Sequence, residues 1–415
     1  INELNKFDFS EIVAKTAPNP TALPGAKKEL PPFPFVMSYP DPATLPILEA
    51  HEAMGEILKK VGNTPTVYPD TQGYPPLRDY IVERLAEKRS MDFSPNDVLL
   101  TEGSGQAIHF VTEALVDPGD VVIADHFVYG GTLWSLRRFR SDIRGVLSDE
   151  YGMIPELLEQ TIDKAIAEGK RPKMIYMIPT FQNPQAWTMP VERRREIVEV
   201  ATRKGVPILE DDGIAEFRFE GEHIPSLASL DESGVVIHTG TFSKIIVPGM
   251  RIGYLIASQQ LLEAVMPIKG SRGVTQYGAL AVYQFATTRL DKHLVEINST
   301  LMSRRDALLD ALEDNLGDMA KWSFPEGGLY TWLTMQEGID LVDIAPRAAS
   351  QGVTYDLGTT FAVGDDPGRN KARLCFSYNN EVEIREGITR LALSLIHISE
   401  PTRPRLISYA VFCLK

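Results

Sequence analysis

The sequence predicts an α/β fold, a mostly parallel sheet flanked by helices and joined to a smaller α+β domain. Three observations carry that prediction. First, short runs of almost wholly apolar residues recur: DVLLT at 97–101, VVIAD at 121–125, MIYMIP at 174–179, VPILED at 206–211, VVIHTG at 235–240 and IGYLIA at 252–257. A strand covered on both faces reads as a continuous β-branched run, whereas one wet face would leave an alternating pattern. Second, amphipathic stretches such as PLRDYIVERLAEKR and PVERRREIVEVATRKG lie between these runs, as crossover helices must. Third, the alternation stops after about residue 285. A long helical stretch (LDKHLVEINSTLMSRRDALLDALEDNLG), the strands YTWLTM and ARLCFSY and a last helix, EVEIREGITRLALSL, replace it.

Taken in order, the chain divides into an N-terminal arm with part of the small domain (1–50), a large domain (51–285), a small C-terminal domain (286–396) and a tail (397–415). Proline and glycine crowd residues 18–46, which predicts an extended arm of the kind that packs on a partner subunit. The tail IHISEPTRPRLISYAVFCLK is broken by Pro401 and Pro404 and has no place in the pattern, so it reads as a non-native addition.

The 42 basic and 56 acidic residues give a net charge of -14 and a pI near 5.1, which argues against nucleic acid and anionic membranes as partners. No uncharged apolar run reaches the roughly 20 residues of a spanning helix, and the N-terminus lacks the features of a secretory signal. Cys375 and Cys413 are too few for a disulfide framework and no Cys/His cluster has zinc spacing, so a cytoplasmic, metal-free protein is expected.

The candidate chemistry lies where strands end, because ligands of such sheets collect beyond the carboxyl ends. The first run leads into EGSGQAI, placing Ser104, Gly105 and Gln106 at a helix start, where unpaired N–H groups favour a phosphate. The fourth ends in Glu210, Asp211 and Asp212, and the fifth leads to Thr241, Ser243 and Lys244, with Arg251 following Pro248-Gly249. Each alone is ordinary: a helix cap, a solvated acid, a surface lysine. Together they meet the needs of pyridoxal 5'-phosphate. That cofactor requires an amine for a Schiff base (Lys244), an anion site (Ser104, Thr241, Ser243, Arg251) and a carboxylate to keep its ring nitrogen protonated (Asp211).

The blocks YPDTQGYPPLRDYI, EGSGQAI, IPTFQNP, ILEDDGIAEFRFEG and TFSKIIVPGMRIGY resemble, in order, the signatures of fold-type I pyridoxal-phosphate-dependent aminotransferases of class I/II. The nearest texture is that of 2-aminoadipate/kynurenine-type enzymes and of the aminotransferase-like domain of MocR regulators, over about residues 35–395. The resemblance implies a seven-stranded sheet and the interconversion of an L-amino acid and a 2-oxo acid. It also implies that Asn183 donates to the cofactor's 3-oxygen, that Tyr129 stacks on its ring and that Arg373 forks onto the substrate carboxylate. Tyr68 would reach the phosphate of a neighbouring subunit, so a homodimer is expected. Ser38 and Tyr39, in SYPDP, stand where the family has a glycine-rich substrate-binding stretch.

The chain departs from the family where a tyrosine usually follows the ring aspartate and donates to the 3-oxygen. Gly213 and Ile214 occupy those positions, and only another tyrosine such as Tyr39 would fill the gap. That leaves room for a lyase, decarboxylase or oxidative deaminase on the same scaffold, and a non-catalytic sensor is the alternative of another class. The Pro-rich residues 1–40 and the acidic charge speak against the sensor. Arg272 is a further candidate, either facing an acidic substrate side chain or solvated in its loop.

Overall fold

A computed structural model describes residues 12–13, 30–270 and 273–396. Its centre is a seven-stranded sheet in the order Val98–Thr101, Gly253–Ile256, Val236–Thr241, Ile208–Asp211, Met174–Met177, Val121–Asp125, Asp142–Val146. All neighbours are parallel except Gly253–Ile256, which runs against both strands beside it. Alternate residues go to opposite faces, as the pleat requires. Val122, Ala124, Tyr176 and Leu209 pack on Ala107, Ile108 and Val111 of the helix Ser104–Leu115. Val121, Ile123, Ile175 and Ile208 pack on the other side against Leu158, Ile162 and Ile197 of the helices Pro155–Ala167 and Val191–Lys204.

Local signals place the helix ends. Pro75 opens Pro75–Arg89, where its missing N–H costs nothing. Gly205, at φ 63°, closes Val191–Lys204 in the left-handed conformation that favours glycine. The strand Asp142–Val146, which the apolar runs do not predict, is an edge strand. Four of its five residues are only half-buried, and its Arg144 pairs with its own Asp142 and with Glu168.

The four-stranded sheet Ala320–Trp322, Tyr330–Met335, Lys371–Cys375, Asp356–Leu357 is antiparallel throughout. Leu308 and Leu312 of the helix Leu290–Leu316 share a core with Leu333 and Leu374 of this sheet and with Ile384 and Ile388 of the helix Glu381–Ile396. The described part of the arm packs on its own chain. Phe33–Pro34 pairs in parallel with Val353–Thr354, Phe35 is fully buried, and Asp41 N–H donates to Ser377 O while its carboxylate meets Arg304. The rest of the arm, Arg272 and the tail lie outside the described residues. Among the described residues no helix is long and apolar enough to cross a membrane, and no cluster of His, Cys, Asp and Glu is arranged to hold a metal.

Candidate active site

The carboxyl edge of the large sheet opens into a cavity of about 350 Å³. Gly103, at φ 78°, turns the strand Val98–Thr101 into the helix beginning at Ser104. The positive φ favours glycine there, and the missing Cβ leaves room for Arg251, whose Nη2 would lie 2.9 Å from it. Arg251 is itself in the left-handed region and donates from Nη2 to Glu102 O at 2.6 Å and from Nη1 to Ser243 Oγ at 3.4 Å. Thr241 Oγ1 accepts from Ser243 N–H at 3.1 Å. One corner of the cavity therefore collects a helix N-terminus, hydroxyls and a guanidinium, a donor set suited to a phosphate.

Strand periodicity sorts the three consecutive acids. Glu210 turns away from the cavity, is wholly buried, and accepts from the N–H groups of Leu227 and Ala228 while meeting His238 Nδ1 at 3.0 Å. Asp212 forms a buried pair with Arg89 at 2.6 Å. Asp211 alone faces the site, in the wall of an adjoining smaller cavity with Asn183, Ile214, Lys244 and Tyr330. Burial pushes its carboxyl up to about 6, against the pull of the Tyr176 hydroxyl, which donates to Asp211 Oδ2 at 2.8 Å.

Lys244 lies in the walls of both cavities. Its Nζ donates to Ser38 O at 2.6 Å, so the N-terminal segment closes over it. Desolvation, and then the charge of Arg373, hold the amine down to about 8, while Cys375 and Asp211 pull the other way. Arg373 is buried and donates from Nη1 to Asn183 Oδ1 at 2.7 Å and from Nη2 to Asp356 Oδ2 at 2.6 Å.

Of the residues singled out in the sequence, Ser104, Gly105, Tyr129, Thr241, Ser243, Lys244, Arg251 and Tyr39 line the larger cavity, and Asn183 and Asp211 join in the smaller one. Arg373 reaches the group through Asn183, and Ser38 through its carbonyl. Gln106 stands apart, its side-chain oxygen accepting from Glu102 N–H. Tyr68 is 80% exposed and belongs to neither wall. Ile214 lines the smaller cavity with two tyrosines, Tyr129 and Tyr330, and the Tyr330 hydroxyl donates to Phe181 O. The Tyr176 hydroxyl is taken by Asp211, and Tyr39, in the wall of the larger cavity, packs edge-on against Tyr378. The sequence reading missed Tyr176, Tyr330 and Asp356. Tyr176 sits inside a run that reads as pure core, and its spacing from Asp211 carries no signal without the strand pairing Tyr176↔Leu209.

An anion corner, a carboxylate and an amine of lowered basicity, arranged along the carboxyl edge of a doubly flanked sheet, fit the phosphate, ring nitrogen and aldehyde of pyridoxal 5'-phosphate. The fold and this site define a fold-type I pyridoxal-phosphate-dependent enzyme. Residues 38–391 match the family model described as aminotransferase class I and II, and the chain belongs to that family. It is similar to aromatic-amino-acid aminotransferase 1 of Thermococcus litoralis, at 35% identity over 85% of each chain. It also resembles a crystal structure of Pyrococcus horikoshii kynurenine aminotransferase in complex with PMP, with a TM-score of 0.84 and 31% identity over 89% of this chain and 92% of that one. A helix-turn-helix regulator of Bacillus subtilis, YdfD, is 29% identical over 79% of this chain and 67% of its own length. The protein is a pyridoxal-phosphate-dependent aminotransferase.

Proposed function

We propose that the chain moves an amino group between an L-amino acid and a 2-oxo acid with Lys244 as the covalent anchor of the cofactor. The observation that carries this assignment is the single amine set between Asp211 and the Ser104–Arg251 corner. Bound there, pyridoxal phosphate supplies an electrophilic aldehyde and a protonated ring that accepts the electron pair of the substrate's Cα–H bond. Ser104, Gly105, Thr241, Ser243 and Arg251 hold the phosphate, with Gln106 supporting the turn through Glu102. Asp211 keeps the ring-nitrogen proton in place, and Tyr176 steadies Asp211. The amide nitrogen of Asn183, whose oxygen is taken by Arg373, would be free to donate to the ring oxygen, and Tyr129 would cover the ring.

Arg373 holds the substrate carboxylate, with Ser38 and Tyr39 closing the site from the N-terminal side. The Lys244 amine would be the group placed to take a proton at the substrate Cα and to hold it for return. An amine held to about 8 keeps roughly a tenth of its population uncharged at pH 7, far more than an ordinary lysine does.

The same reading places residues 51–285 in a large domain and 286–396 in a small one, in a cytoplasmic enzyme whose active form is a homodimer. Support for the dimer comes from Tyr68, which is exposed beside Val67 and away from its own cavity, as a residue serving a second copy's phosphate would be. Sedimentation of the holoenzyme at micromolar concentration is expected to give twice the chain mass, and Tyr68→Phe is expected to weaken cofactor binding while leaving the dimer intact.

Borohydride reduction of the cofactor-saturated protein followed by peptide mapping tests the central assignment. The pyridoxyl adduct is expected on the peptide containing Thr241-Phe242-Ser243-Lys244, and an adduct on any other lysine overturns it.

A further inference from the structure

Arg373 is held on several sides before any substrate arrives. Asn183 accepts from one terminal nitrogen at 2.7 Å, and the rings of Tyr330 and Phe361 lie 5.2 and 5.0 Å from the guanidinium carbon. Across the small sheet, Trp332 stands opposite Arg373 on one neighbouring strand and Asp356 on the other. Directly opposed residues of antiparallel strands share a face, and the Asp356 carboxylate closes on Arg373 Nη2 at 2.6 Å. The orientation of the guanidinium is thus already fixed by an amide and two rings. What Asp356 alone adds is a negative charge.

We infer that Asp356 sets the enzyme's affinity for substrate carboxylates by acting as a built-in competitor for Arg373. The inference rests on the reading of Arg373 as the carboxylate site. Its physical basis is the like charge of the two anions. A substrate carboxylate arriving at the same buried guanidinium meets Asp356 within a few ångströms, in surroundings where such repulsion is poorly screened. Arg373 is 6% exposed at its side chain but Asp356 is 24% exposed, so the aspartate keeps a route to solvent and yields part of its hold when the substrate binds. Between turnovers it neutralises a cation that would otherwise stand uncompensated in a buried site.

The competition weakens ground state and transition state alike, so its effect falls on KM and leaves kcat near its original value. It acts equally on the amino acid and on the 2-oxo acid, since both carry the carboxylate. This separates it from a role for Asp356 in attracting the substrate ammonium, which the oxo acid lacks.

The test uses the holoenzyme and its Asp356→Asn variant, which keeps an acceptor oxygen for Arg373 and removes the charge. KM is measured for one amino donor and one 2-oxo acid, and Kd is measured by cofactor absorbance for 3-phenylpropionate, a carboxylate without an amino group. All three constants are expected to fall by about tenfold, with Asp356→Ala, checked for an unchanged melting profile, falling likewise. Constants that stay level or rise in Asp356→Asn overturn the inference. So does an alanine variant that binds more weakly than the wild type, because orientation then outweighs charge. An Arg373→Gln control separates the two layers. If it leaves the Kd of 3-phenylpropionate unchanged, the reading of Arg373 fails and Asp356 with it; if it abolishes binding while Asp356→Asn has no effect, the inference about Asp356 alone fails.

Discussion

Lys244→Ala is expected to lower turnover by on the order of 10⁴-fold or more, because in the proposed function one side chain is both covalent anchor and proton carrier. Among the described residues no other lysine lines either cavity, so none of them is placed to take over its roles. Cofactor binding should persist noncovalently, since the Ser104–Arg251 corner and Asp211 are untouched. Steady-state rates together with the loss of borohydride-trapped label check the prediction, and a variant retaining a tenth of the wild-type rate would refute it. The same substitution has a consequence for the cofactor-free protein. A lysine whose folded pKa lies near 8, below its unfolded value of 10.5, binds fewer protons folded than unfolded. Its charge therefore opposes folding, fully at neutral pH and less as pH rises from about 8 to 10.5. The alanine variant without cofactor should melt at a higher temperature than the wild type at pH 7, and that gain should shrink at pH 10.

Asp211→Asn is expected to cost on the order of 10²–10³-fold in kcat, the range seen when one electrostatic partner of a developing charge is removed. The amide keeps the shape and the Tyr176 contact but cannot hold the ring-nitrogen proton. Tyr176→Phe acts on the same group in a graded way. The hydroxyl favours the charged carboxylate, so its removal raises the Asp211 pKa further above about 6. Activity that depends on the carboxylate is lost as pH falls through that pKa, so the acidic limb of the kcat/KM profile should move to higher pH in the phenylalanine variant. A profile that stays in place would show that Tyr176 does not tune Asp211.

The large sheet was legible because burial on both faces leaves a strong one-dimensional trace. Each of the six apolar runs lies in it, with ends shifted by a residue or two. The seventh strand, Asp142–Val146, escaped because an edge strand is half wet and carries Asp142 and Arg144, so its composition is that of a loop. The candidate site was legible where a rare combination gathers at strand ends, as with Lys244 and Asp211, which share a cavity wall. It was illegible where a partner is brought in by pairing between distant strands. Tyr176 meets Asp211, and Asp356 meets Arg373, only because separate segments align in register, which no local pattern records. The arm lay between these cases. Its extended character was plain, but the parallel pairing of Phe33–Pro34 with Val353–Thr354 is again a meeting of distant segments that no local pattern records.

The one reversed strand of the large sheet, Gly253–Ile256, begins at the edge where its neighbours finish, with Gly253 level with both Thr101 and Thr241. A single connecting loop therefore leaves and re-enters the sheet at the same rim, carrying Lys244 near its departure and Arg251 near its return. Amine and guanidinium are in this way gauged to each other by one stretch of backbone anchored at both ends. Lengthening that stretch would spoil the spacing between the proposed anchor and phosphate positions even if every side chain were kept.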